Sequence, residues 1–195
     1  MKKLLALLMI LCLSVCCVSA LAESARVPYE FDDFILTTDD TDVVSIPKKD
    51  SEIFMQYYPL ASLKSSTNPT EALAGMGTNI NAVWTSSGGI TISGSMLAAV
   101  VASQKDMLIS SLKAEGMDVT SFEIGEGKDV EYWGFTCAQA DYTLTATISG
   151  ITLNMSVRQI AVPYTSSDYI IFTITGVNYD MDELTEILVN DIQFK

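Results

Sequence analysis

This chain predicts an α+β fold, with a central antiparallel sheet and helices packed on its faces. Three patterns lead there. Apolar and polar residues alternate from Tyr132 to Thr147, from Ile151 to Arg158 and from Tyr169 to Thr175, which is the two-residue period of strands. The stretch from Gly94 to Glu115 instead repeats its apolar residues every three or four positions, the period of a helix. A shorter helical pattern, Met181 to Val189, closes the chain.

Ahead of these elements stands a leader. Met1-Lys2-Lys3, the apolar run from Leu4 to Val18 and the Ala20-Leu21-Ala22 end have the basic, apolar and small-residue zones of a secretory signal peptide. The expectation is cleavage near Ala22, a globular domain over 23–195, and a secreted or cell-surface location with no transmembrane segment left after removal. A retained anchor fits less well, because no basic flank follows the apolar run. Lipid attachment needs a cysteine directly after a small residue, whereas Cys12, Cys16 and Cys17 follow Leu11, Val15 and Cys16.

The elements follow in order. Val27 to Phe31 and Phe34 to Leu36, then Val43 to Pro47 beyond the run Thr38-Asp39-Asp40-Thr41-Asp42, suggest two short strands around an acidic turn. Glu52 to Leu60 is aromatic-rich and open between strand and short helix. In the Ser-, Thr-, Asn- and Gly-rich stretch from Ser62 to Gly77, Asn68-Pro69 marks a turn and Ala72-Leu73-Ala74 a fragment of helix. Asn79 to Trp84 alternates, with Ile80, Ala82 and Trp84 on one strand face. The long helix carries Leu97, Val100, Val101, Met107, Leu108 and Leu112 as its apolar stripe, and Gly116 ends it. Val119 to Ile124 is a strand and Gly125 to Asp129 a turn. A continuous strand from Tyr132 puts Trp133, Phe135 and Cys137 on one face and Tyr132 on the other. Ser149-Gly150 joins two strands whose apolar residues make a one-sided core, with Thr152, Asn154, Ser156 and Arg158 opposite. Ile170, Phe172 and Ile174 line one face of the next strand. Asp180 and Glu183 have the spacing of a helix-capping pair ahead of the buried stripe Leu184, Ile187 and Leu188, and Ile192 and Phe194 tuck the tail against the sheet.

Composition narrows function. The chain has no histidine and carries a net charge of −13; without the leader, nine Lys and Arg face 24 Asp and Glu, so the charge is 9 − 24 = −15. Such a charge repels nucleic acid and leaves basic partners favoured. Lack of histidine removes the usual proton-transfer group and the commonest transition-metal ligand. No enzyme activity, cofactor or metal is expected. Cys137 is the one cysteine outside the leader, so no internal disulfide can form, and its parity with Trp133 makes it a core residue.

This order of elements, with the asparagine-bearing strand from Asn79 to Val83 and the closing segment from Leu184 to Phe194, resembles the PsbP/Mog1-like superfamily. The resemblance implies an α-β-α sandwich and a scaffolding or protein-binding role, and it supplies no catalytic residue. The reading is therefore a noncatalytic exported domain that binds another protein or an envelope component. Trp84, Asn79, Asn81, Tyr132 and Tyr57 are its candidate recognition surface, since aromatic side chains offer area with few torsions to freeze. Two alternatives remain. Asp118, Glu123, Glu126, Asp129, Glu131 and Asp141 could supply the carboxylate pair of a glycan hydrolase. Asp39, Asp40 and Asp42 could hold calcium weakly, though without the spacing of a calcium loop. Asn154-Met155-Ser156 matches a glycosylation acceptor, but it falls within a predicted strand of a bacterial-looking chain.

Overall fold

Two long strands form the spine, β8 (Phe135–Ile148) and β9 (Ile151–Pro163) in chain order. The computed structural model describes residues 26–39, 42–45 and 53–195, so the leader, Asp40 and the Ile46-Pro47 end of an expected strand lie outside the described residues. Ser149 and Gly150 join the spine strands with φ of 51° and 81°, the left-handed pair that a two-residue hairpin turn requires. Pairing runs from Ile148 opposite Ile151 to Ala138 opposite Ala161. On the far edge of β9 the sheet continues through β10 (Asp168–Val177), β5 (Asn79–Ser86), β4 (Ile53–Tyr58) and β3 (Val43–Ser45). The other edge of β8 takes two strands in succession: β6 (Asp118–Ile124) opposite residues 142–147, and β7 (Lys128–Tyr132) opposite residues 135–139. A smaller antiparallel sheet, in spatial order, is β1 (Arg26–Glu30), β2 (Phe34–Asp39) and β11 (Ile192–Phe194).

Helices lie on both faces of the large sheet. On one face, α1 (Pro69–Gly77), α3 (Met181–Asp191) and the small sheet close over Met55, Tyr57, Ile80, Ile160, Phe172 and Ile174. On the other, α2 (Gly94–Ala114) lays Leu97, Val101 and Leu112 on Phe122, Tyr142, Leu144 and Val157. Because side chains alternate along a strand, β10 sends Ile170, Phe172 and Ile174 to the first cluster and Tyr169 to the second. Each such buried side chain contributes about 1.5–3 kcal/mol. The expected architecture of helix, sheet and helix is the one observed.

Several local expectations are corrected. The core is two-sided: Arg158, on the polar side of β9, is 8% exposed because α3 covers it. The strand expected to run through from Tyr132 is a hairpin, since Trp133 and Gly134 have φ of 53° and 80° and turn β7 into β8. Tyr132 and Trp133 therefore join one cluster rather than opposite faces. Val100 and Met107 lie outside the buried stripe of α2, 49% and 41% exposed, because the helical period places Leu97, Val101 and Leu112 about one residue's rotation away. The N-terminal segment holds three strands, and the acidic run links β2 in one sheet to β3 in the other. Residues 53–58 are strand, and Asn68-Pro69 opens α1, with Asn68 Oδ1 accepting from Thr70 N at 3.0 Å.

Candidate functional site

An aromatic row runs from the core to the surface at one end of the sheet. Phe34 packs on Phe172 inside and on Phe54 outward, with ring centroids 5.7 and 6.0 Å apart. A β-bulge between Ile53 and Met55 lets Phe54 join the face that Met55 occupies. Phe54 then meets Trp84 at 5.6 Å, and Trp84 meets Tyr164 at 5.1 Å with their planes 75° apart. Trp84 and Tyr164 are 40% and 41% exposed. Both residues line a depression of about 270 Å³, together with Thr85, Ser86 and Asp168.

Its frame is hydrogen-bonded. Tyr164 N and Thr165 N both donate to Asp168 O, at 3.0 and 3.1 Å. Asp168 N donates to Thr165 Oγ1, whose hydroxyl donates to Asp168 Oδ2 at 2.9 Å. Ser167 O accepts from Ser87 N at 2.7 Å, which ties the turn between β9 and β10 to the end of β5. The Tyr164 hydroxyl has a raised pKa, first through its hydrogen bond to Asp33.

A second polar cluster is closed. The Tyr57 hydroxyl lies 2.7 Å from Thr38 Oγ1, 2.8 Å from Asp191 Oδ2 and 3.0 Å from Asp42 Oδ2, while Thr38 Oγ1 donates to Asp42 Oδ2. Having one proton, Tyr57 can serve only one carboxylate fully at a time. Burial, the largest cause, pushes the Asp42 carboxyl up to about 6. Arg26 Nη2 holds the other oxygen of Asp191 at 2.7 Å. Two carboxylates on one phenol resemble a hydrolytic pair, but Tyr57 is 0% exposed and Asp191 6%. In a third cluster, Arg158 forks onto Asp141 at 2.8 and 2.9 Å and reaches Asp182 Oδ1 and Thr185 Oγ1 of α3 at 2.9 Å each. It fastens helix to sheet.

The candidate recognition residues do not converge. Trp84 alone among the five is well exposed. Tyr57, Asn79 and Asn81 are buried, with Asn81 Nδ2 donating to Asn79 Oδ1 at 3.0 Å and Asn81 Oδ1 unpartnered among the described residues. Tyr132 is half-buried and 3.4 Å from Gln139 Oε1. Tyr164 and Asp168 were missing from that set; Thr165-Ser166-Ser167 marks a turn after an apolar strand, but no local signal places that turn beside Trp84. The carboxylates considered for a hydrolase have structural partners in several cases: Asp129 accepts from Gly94 N, Glu131 from Thr136 and Asp141 from Arg158. Of the calcium candidates, Asp40 lies outside the described residues and Asp42 is engaged as above. Among the described residues no group of three or more His, Cys, Asp or Glu could hold a metal ion. Cys137 is buried and free, its thiol pushed up to about 11 by burial.

No family model matches the chain, and no curated protein matches it. Among solved structures it is similar in fold to the cyanobacterial PsbP of Synechocystis, at 7% identity and a TM-score of 0.48 over 93% of this chain and 99% of that one. LpqN of Mycobacterium tuberculosis, a protein involved in cell envelope biogenesis, is similar at 12% identity and a TM-score of 0.42 over 89% and 92% of the two chains. A protein of unknown function from Pseudomonas aeruginosa is similar at 13% identity and a TM-score of 0.33, over 83% and 89%. Such low identities carry nothing about function.

Proposed function

We propose that this chain is a noncatalytic bacterial domain, exported by its leader and processed near Ala22 to a domain over 23–195, that binds a protein or an envelope component through the corner of Trp84, Tyr164 and Asp168. The observation that carries the reading is the exposure of two large rings in contact beside a depression, where the same aromatic row is otherwise buried or half-buried. Rigid aromatic area at a rim is what a contact surface needs, because few torsions are lost on binding. Burial of Asp191 beneath Tyr57 and its pairing to Arg26, and the clamp of Asp141 and Asp182 by Arg158, favour structural over catalytic roles for those acids. The leader and the composition support export and a basic or neutral partner.

Retention of the purified protein on envelope fractions of its source bacterium tests this reading. Wild type is expected to be retained and the W84A/Y164A double variant to lose retention by at least about tenfold, the scale of one hot-spot residue. Equal retention of a folded double variant would contradict it.

A further inference from the structure

We propose that the corner of Trp84, Tyr164 and Asp168 is a receptor for a basic side chain, arginine above all, presented by a partner protein. This rests on the corner being the contact surface and narrows what that surface takes. Trp84 and Tyr164, in edge-to-face contact with their planes 75° apart, both line the depression, and the face of an aromatic ring, indole most of all, attracts a cation. A carboxylate completes the lining: Asp168 Oδ2 is held by Thr165 Oγ1 and Ser167 Oγ, while Oδ1 has no hydrogen-bond partner among the described residues.

No internal cation lies over these two rings among the described residues; Lys64 and Lys105 lie over Tyr58 and Phe122 instead. A guanidinium suits the site better than an ammonium, because it is flat enough to stack on indole and presents a donor fork to a carboxylate. The chain's net charge of −13 steers basic segments toward it and opposes anionic lipid surfaces.

Titration of the ¹⁵N-labelled protein, followed at the indole N–H of Trp84, tests the proposal, with Trp133 as internal control because its Nε1 donates to Val189 O inside the fold. N-acetyl-arginine methylamide is expected to shift the Trp84 resonance saturably, with a dissociation constant on the order of millimolar for so small a ligand. Its citrulline counterpart, equal in shape and uncharged, should bind at least about tenfold more weakly, and Asp168→Asn should weaken arginine by about fivefold or more. Tyr164→Ala provides a second variant that leaves the turn's hydrogen bonds intact. Equal shifts from arginine and citrulline, tighter binding of tetramethylammonium than of arginine, or no shift of Trp84 at all would overturn the proposal. A Trp84 shift produced by uncharged envelope fragments alone would overturn the basic ligand and leave the corner as contact surface, whereas envelope retention insensitive to W84A/Y164A would remove both.

Discussion

Tyr57 shows how much a single side chain can organise, since its hydroxyl joins β2, the acidic turn and the end of α3. Tyr57→Phe leaves Thr38, Asp42 and Asp191 short of a donor in a buried place and should cost about 1–3 kcal/mol in urea unfolding. Asp42 makes the same cluster pH-dependent. Its folded pKa of about 6 lies above the ordinary 3.8, so the fold prefers the protonated acid. That contribution is complete below the ordinary value and is lost as pH rises through about 6; after discounting for solvent screening it amounts to about 1–2 kcal/mol. Melting temperatures of wild type should therefore fall between pH 4 and 7 relative to Asp42→Asn, which keeps a donor at all pH values. Parallel curves would refute the assignment. Neither effect was legible beforehand, because the Glu52 to Leu60 segment carries no periodicity that separates strand from helix, and only the strand register buries Tyr57. Cys137 was legible from its parity with Phe135. Being fully buried with a thiol at about 11, it should resist thiol reagents in the native protein and react on unfolding.

At the level of elements, close backbone approaches and one arginine hold the layers in place. A Cβ on Gly127 would fall 1.8 Å from Gly94 O, and one on Gly94 would fall 2.2 Å from Lys128 N, so the loop before β7 and the start of α2 touch backbone to backbone. Gly127→Ala should destabilise by several kcal/mol, beyond the usual surface cost, in chemical denaturation. Arg158 binds α3 to the sheet through unequal partners. Asp141→Ala removes the bidentate partner of a buried guanidinium and should cost about 3 kcal/mol, whereas Asp182, 87% exposed, should cost under about 1 kcal/mol when changed to Ala. Equal costs would contradict this division. The long helix, the β8–β9 hairpin and the capped C-terminal helix were readable because period and caps agree. β7 was not, because Trp133-Gly134 interrupts an otherwise regular alternation without a customary turn dipeptide. α1 was underread, although Asn68-Pro69 is a cap followed by proline at the first helical position. The alternation of β9 places Arg158 on the solvent side, and only the docking of α3, a contact between residues far apart in sequence, turns that face inward.

For the molecule as a whole, the sheet is covered on both faces, and the surfaces open to a partner among the described residues include its rim and the outer side of α2. The rim offers exposed aromatic rings beside a carboxylate; α2 offers Met96, Val100 and Met107, exposed but without a charge pattern to name a partner. Trp84 was foreseeable only from its aromatic type, since its strand parity with the buried Ile80 and Ala82 argues for the core. Tyr164 and Asp168 were not, because they reach Trp84 only through the pairing of β10 with β5, across about eighty residues of chain. The central claim, that this corner is where the protein makes its contact, is tested most directly by a photo-crosslinking amino acid placed at position 164 in growing cells, with position 107 on α2 and position 151 at the β8–β9 turn as controls. The account predicts one discrete adduct from position 164 that disappears with Trp84→Ala and with excess arginine-containing peptide. Adducts from position 107 or 151 with none from 164 would contradict it.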